Sequence, residues 1–339
     1  MPDTEQDGAD GRPSGPQRPK FLITIDVEED NAWARRADVR TENAKAMPRF
    51  QELCDTFGLK PTYLTNYPMA KSPAFREFGR DVLRRGRGEI GMHLHAWNTP
   101  PEHRLTDNDP ANHPYLIEYP EPVIRAMVGT MTDVLTEAFG ERPVSHRAGR
   151  WAFNATYARV LLEYGYKIDC SVTPHVSWRG HMGDPGGRGG SDYTEFPKKA
   201  YFVDLEEISR PGPSGLLEVP MTIMRSRNRL ANMLRTRFAP GSLPRRAVEK
   251  LSPELNWFRP NGTNLKQLRA VLARAVKEDR GYVELMLHSS ELMPGGSPKS
   301  RTNDDMDRLY SELRELYSLA VDSFEGATLR EYREAFGSR

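Results

Sequence analysis

The amino-acid sequence predicts an α/β fold in which a parallel sheet of about seven strands closes, or nearly closes, into a barrel. Three observations lead there. Short apolar runs of β-formers recur without polar alternation, the mark of strands covered on both faces. Segments with one-face helical spacing alternate with those runs along the chain. Polar, chemistry-bearing residues follow the ends of at least four runs, where barrels of this kind carry their function.

Residues 1–19 are polar and rich in Pro, Gly and Asp, with no basic segment leading into an apolar one. They read as a disordered tail rather than a secretion signal, leaving residues 20–339 for the barrel domain. The first strand begins at Phe21 and runs into Asp26, Glu28, Glu29 and Asp30. A helix follows over 48–57, with Pro48 in its first turn, Phe50, Leu53, Cys54 and Phe57 on one face, and Gly58 as its stop. A strand near Thr62 and a helix from Ser72-Pro73 to about 85 lead to the third strand, which begins at Glu89 and carries His93 and His95. Residues i and i+2 of a strand share a face, so these two imidazoles project together and form a chelate suited to a borderline cation such as zinc.

A polar loop over 98–119 is long enough to be a lid or binding surface. A helix over 122–139 closes on Gly140, and a strand from about Pro143 ends in Arg147, Arg150 and Trp151. Asn154 caps a helix to about 164; strands follow over 167–172 and 216–221. Gly183, Gly186, Gly187, Gly189 and Gly190 mark a mobile loop without phosphate-binding spacing. Residues 225–250 read as basic and irregular. Few aromatics interleave with their arginines, so a solvated face is the expectation, not a nucleic-acid site. An amphipathic helix over 265–276, a strand over 282–287 ending in His288, and a last long helix over 307–324 complete the chain.

Charged residues are 28% of the 339 and nearly balanced, at a net charge of +1, so no overall field draws nucleic acid or an anionic membrane. No apolar run approaches the ~20 residues of a spanning helix. Cys54 and Cys170 each sit in an apolar pattern and read as buried free thiols in a reducing, cytoplasmic setting.

Five motifs, in order, resemble those of the polysaccharide deacetylases among the carbohydrate esterases. They are Thr24-Ile25-Asp26-Val27-Glu28-Glu29, Glu89-Ile90-Gly91-Met92-His93-Leu94-His95, His146-Arg147-Ala148-Gly149-Arg150-Trp151, Asp169-Cys170-Ser171-Val172-Thr173-Pro174 and Leu285-Met286-Leu287-His288-Ser289-Ser290. The likeness spans most of the chain from Phe21 to Met293. It implies a deformed (β/α) barrel of about seven strands and a metal-dependent removal of N-acetyl groups from an amino sugar or related glycoconjugate. Two departures stand out: Val27 separates Asp26 from Glu28 where the family has adjacent aspartates, and Trp97 occupies the usual place of the second histidine, so His95 takes that part.

The chemistry also follows from the residues. Glu28, His93 and His95 make a two-His-one-carboxylate shell for a divalent metal, with zinc the first choice; Glu29 or Asp30 could replace Glu28. Asp26 is the candidate general base, and His288 the acid that protonates the leaving nitrogen. By resemblance, Arg147 pairs with Asp26 and keeps it ionised. Arg150, Trp97, Trp151 and Asp169 are the candidate substrate contacts. Arg150 could instead hold an outer loop, Asp169 could fix Arg147 or a turn, and either tryptophan could be packing. His103, His113, His146, His175 and His181 read as surface or loop histidines. The rival functions are a glycoside hydrolase, a cyclic-amide or other C–N hydrolase, and a catalytically silent sugar-binding protein.

Overall fold

The architecture is organised around β1 (Lys20–Val27), whose residues alternate between two environments. Phe21, Ile23, Ile25 and Val27 join the large apolar cluster under the helices, while Leu22, Thr24 and Asp26 turn inward. The computed structural model describes residues 18–30, 32 and 38–337; residues 1–17 of the expected tail lie outside the described residues.

The remaining strands are β2 (Pro61–Thr65), β3 (Glu89–Leu94), β4 (Ser145–Ala148), β5 (Ile168–Asp169), β6 (Tyr201–Phe202), β7 (Leu217–Glu218), β8 (Ile223–Arg225), β9 (Leu255–Trp257), β10 (Tyr282–His288) and β11 (Glu325–Ala327). Their order across the main sheet is β10-β1-β2-β3-β4-β5-β7-β6. All seven strands from β10 to β7 run parallel, and they coincide with the seven expected; β6 is antiparallel at the far edge. β11 pairs with the start of β1 below β2. Between β7 and β10 the described residues form no ladder. The gap is spanned by Tyr282 Oη donating to Pro220 O at 2.6 Å and Glu284 N donating to Thr222 Oγ1 at 2.9 Å. The result is a curled half-barrel, a deformed (β/α) barrel.

The described residues also form eleven α-helices: α1 (Met47–Thr56), α2 (Tyr67–Lys71), α3 (Pro73–Arg84), α4 (Asp109–Asn112), α5 (Glu121–Phe139), α6 (Ala155–Glu163), α7 (Arg229–Arg237), α8 (Leu243–Leu251), α9 (Leu265–Lys277), α10 (Asn303–Val321) and α11 (Leu329–Gly337). α11 packs Leu329 and Tyr332 against Leu22, Leu217 and Tyr282 and plugs the barrel floor, which directs the polar residues to the opposite end.

Several expectations are corrected. Residues 225–250 are not irregular: Asn228 caps α7 through Ala231 N, and Ser242 caps α8 through Arg245 N. The helix expected to begin at 307 starts four residues earlier, where Thr302 and Asp305 form a capping box, and it is not the last, because α11 follows. β5 and β7 are shorter than their apolar runs.

Candidate metal centre

The carboxyl ends of β1, β3, β4 and β10 meet at the barrel mouth, and strand register decides which side chains face one another. Asp26 is level with His288, and His93 with Arg147. Glu28 leaves β1 with its backbone held: its N–H donates to Ser289 Oγ at 3.1 Å, and Asn43 Nδ2 donates to its carbonyl at 2.8 Å.

Glu28 Oε1 lies 2.8 Å from His93 Nε2 and 2.7 Å from His95 Nε2. The three potential ligand atoms fall within 4.8 Å of one another, and all three residues are buried. His93 Nδ1 is 3.0 Å from Arg147 O, an acceptor only, so Nδ1 carries a proton and Nε2 is the nitrogen directed at Glu28. His95 Nδ1 is buried without a hydrogen-bond partner among the described residues. It lies against Gly149, where an added Cβ would be only 2.3 Å from Nδ1. Two imidazole nitrogens and one carboxylate oxygen, converging in a buried site, fit a borderline divalent cation. Glu29 and Asp30 are engaged elsewhere: Glu29 accepts from Asn66 and Asn98, and Asp30 accepts from the backbone N–H groups of Glu42 and Asn43.

Burial works against charge on Glu28, yet its hydrogen bonds to His93 and His95 hold the carboxyl well below the usual range. Burial also pushes Asp26 up, and the Arg147 guanidinium, with His93 and His288, brings it below its ordinary value. Arg147 Nη1 donates to Asp26 Oδ1 at 2.6 Å, Nη2 to Thr24 Oγ1 at 2.9 Å and Nε to Cys170 O at 3.1 Å, while Glu284 takes a further ion pair. Asp26 Oδ2 is left 4.0 Å from both His93 Nε2 and His288 Nε2. Arg259 Nη2 donates to His288 Nδ1 at 2.7 Å and to Glu291 at 3.0 Å. His288 Nδ1 also lies 3.3 Å from Glu291 Oε2, so Arg259 and Glu291 both engage Nδ1, and Nε2 is the nitrogen on the Asp26 side.

Asp26, Glu28, His93, His95 and His288 open into one cavity of about 400 Å³, which Trp97, Arg150 and Trp151 also line. Trp97 stacks on His95, with ring centroids 4.0 Å apart. The Arg150 guanidinium lies 3.8 Å over the Tyr115 ring, and Arg147 lies 4.8 Å from Trp151. Arg150 and Trp151 both adopt left-handed backbone, at φ 54° and 60°, a costly conformation of the kind concentrated at functional sites.

Asp169 does not join this group, contrary to its expected place at the substrate. It is sealed in the sheet, where its Oδ1 is 2.6 Å from His146 Nδ1 and accepts from Ser171 Oγ at 2.8 Å. His146, expected at the surface, is fully buried between Asp169 and Tyr157. His113 and His181 lie in loops, as expected, and also line the cavity. Sequence reasoning missed Glu284, Arg259, Glu291 and Trp178. Only Glu284 left a signal, a lone carboxylate inside the apolar run of β10.

No protein-family model matches the sequence, and no curated protein matches it. Solved structures do share its fold. A candidate polysaccharide deacetylase from Mycobacterium smegmatis superposes with TM-score 0.53 at 17% identity, over 96% of this chain and 95% of that one. A candidate glycoside hydrolase/deacetylase from Parabacteroides distasonis gives 0.58 at 12% identity, over 94% and 71%. A GH57 branching enzyme from Thermococcus kodakaraensis gives 0.52 at 12%, over 94% and 72%. At these identities the likeness concerns the fold alone.

Proposed function

Proceeding from a polysaccharide deacetylase fold with this set of donors at its mouth, we propose that the chain is a metal-dependent amide hydrolase that removes acetyl from an N-acetylated sugar or glycoconjugate. The observation that carries the proposal is the opening of the Glu28–His93–His95 cluster, Asp26 and His288 into a single cavity.

Glu28, His93 and His95 would hold a divalent cation, zinc in the first instance, which when bound activates water and polarises the acyl carbonyl. Asp26, kept ionised and aimed by Arg147, takes a proton from the attacking water. His288 delivers a proton to the departing nitrogen as the C–N bond breaks, and the products are acetate and the free amine. Without that proton an amide anion would have to leave, which is prohibitive. Trp97, Trp151 and Arg150 hold the sugar through ring faces and polar contacts. A second cavity of about 560 Å³ shares Trp151, Trp178 and Arg259 with the first and has room for the rest of a substrate larger than one sugar. Cys54 and Cys170, both buried free thiols, suit a reducing compartment, and we place the activity in the cytoplasm.

The shared fold leaves a glycoside hydrolase as the rival. That chemistry needs two carboxylates flanking a glycosidic bond, whereas Asp26 is tied to Arg147 and Glu28 to two imidazoles. The deciding experiment loads the purified protein with zinc and assays acetate and new reducing ends together on N-acetylated oligosaccharides. Acetate release supports the proposal. New reducing ends without acetate assign the glycosidase, and bound zinc with neither product across a broad N-acetyl panel assigns a sugar-binding protein.

A further inference from the structure

We infer that the insert between β8 and β9 docks the protein on an anionic lipid surface. β8 and β9 form a separate antiparallel ribbon, with Ile223 opposite Trp257 and Arg225 opposite Leu255, and the chain between them is the α7–α8 hairpin. The two helices are held together by polar contacts: Arg235 Nε donates to Glu249 at 2.9 Å, Arg245 Nη1 donates to the Arg235 carbonyl, and Arg235 also donates to the Ser252 carbonyl.

Their apolar residues point outward. Leu230 and Met233, one turn apart on α7, are 62% and 58% exposed; Leu243 and Leu251, two turns apart on α8, are 79% and 87% exposed. Exposed Ala247 completes the α8 stripe at i, i+4, i+8, and α8 has no buried residue at all. These four make up half of the eight large apolar side chains exposed among the described residues. Isolated exposed leucines need no explanation, but a concentration of them on one short insert does.

The charge is equally lopsided. Residues 225–251 carry eight basic side chains against one acidic, Glu249, in a chain whose total is +1. Arg229, Arg237, Arg246 and Lys250 pair with no carboxylate among the described residues. Arg237 lies one turn beyond Met233, while Arg246 and Lys250 flank the Leu243–Leu251 stripe. A solvated face accounts for the arginines but not the leucines. Nucleic acid likewise uses only the charge. A bilayer interface with anionic headgroups takes both, the leucines entering the acyl boundary and the basic heads reaching phosphate. The ribbon that carries the insert also supplies Leu255 and Trp257 to the second cavity, so docking and substrate access share an element. Docking does not depend on which reaction the cavity performs.

The test is co-sedimentation of the full chain with phosphatidylcholine vesicles, with and without phosphatidylglycerol, alongside a fluorescent duplex DNA and sedimentation analysis without vesicles. The full chain should pellet only with the anionic vesicles. Leu243→Ser with Leu251→Ser, and separately Arg229→Glu with Arg237→Glu, should each weaken that binding roughly tenfold or more. All four positions are exposed, so thermal unfolding should match the parent. The inference is overturned if the chain ignores anionic vesicles, or if either double variant binds them as the parent does. It is equally overturned if the chain binds DNA but not vesicles, or if the leucine changes abolish self-association rather than vesicle binding.

Discussion

Asp26 and His288 stand level on adjacent parallel strands, with Asp26 Oδ2 and His288 Nε2 4.0 Å apart. That separation is too long for a hydrogen bond, and each residue has its other polar atom held from behind, Asp26 Oδ1 by Arg147 and His288 Nδ1 by Arg259. The two groups are thus oriented without being spent on each other, as a base and an acid serving opposite sides of one reaction must be. Asp26→Asn and His288→Ala should each lower kcat by about 10²–10⁴-fold while metal content stays at the parent level. Steady-state kinetics with metal analysis on the same samples checks this; full activity in either variant would remove that residue from the chemistry.

The ligand set is tested by occupancy rather than rate. His93→Ala and His95→Ala each remove one of two imidazoles and should lose more than the roughly 10–100-fold in metal affinity that loss of an outer partner costs. Glu29→Gln and Asp30→Asn should bind metal as the parent does, because their carboxylates hold Asn66 and the Glu42–Asn43 backbone. Chelation should abolish acetate release, and added zinc should restore it. Elemental analysis after dialysis separates the two pairs, and equal occupancy in all four variants would refute the assignment.

Much of this was legible because strands obey a period of two. The seven parallel strands follow from apolar runs, and the His93–His95 pairing follows from alternation alone. The same alternation explains one failure. Arg147 takes the inner side of β4 with Asp26, so its neighbour His146 takes the other and meets Tyr157. What no local pattern contains is register between distant strands, and Arg259, Glu291 and Asp169 all owe their partners to it. Glu284 and Glu218 are lone carboxylates within apolar runs, an anomaly visible in sequence, but identifying Arg147 as the partner of Glu284 required the sheet. The α7–α8 hairpin was missed because arginines interrupt its apolar spacing, although Leu243, Ala247 and Leu251 do recur at i, i+4, i+8.

Glu284 gives the stability a pH dependence of predictable sign. Burial raises its carboxyl from the ordinary 4.5 to about 7, although Arg147 and Thr24 pull the other way, and its Oε2 has no hydrogen-bond partner among the described residues. The folded state therefore holds this proton more tightly than the unfolded chain. Its contribution is fully present below about 4.5 and is lost as pH rises through about 7. Glu284→Gln, which keeps an acceptor for Arg147 and Thr24, should flatten the fall in Tm across that window relative to the parent. Parallel Tm profiles for the two proteins would show that Glu284 does not titrate there.

Gly149 tests whether the metal centre depends on close backbone approach. A Cβ at this position would sit 2.3 Å from His95 Nδ1 and 2.6 Å from Leu94 O, and neither can yield easily, since one belongs to a buried ring and the other to the end of β3. Gly149→Ala must push the His95 ring from its place beside Glu28 or shift the strand. Overpacking of this kind costs about 1–3 kcal/mol, and the displaced ring should weaken metal affinity as well. Gly215→Ala provides the comparison, because its nearest neighbour, Leu162 Cδ2, lies at an ordinary 3.8 Å, and it should change neither property. Thermal unfolding with and without zinc measures both effects. The expected signature is a lower Tm and a smaller zinc-induced rise for Gly149→Ala alone; an unchanged zinc-induced rise would mean that His95 does not need this glycine to reach the metal.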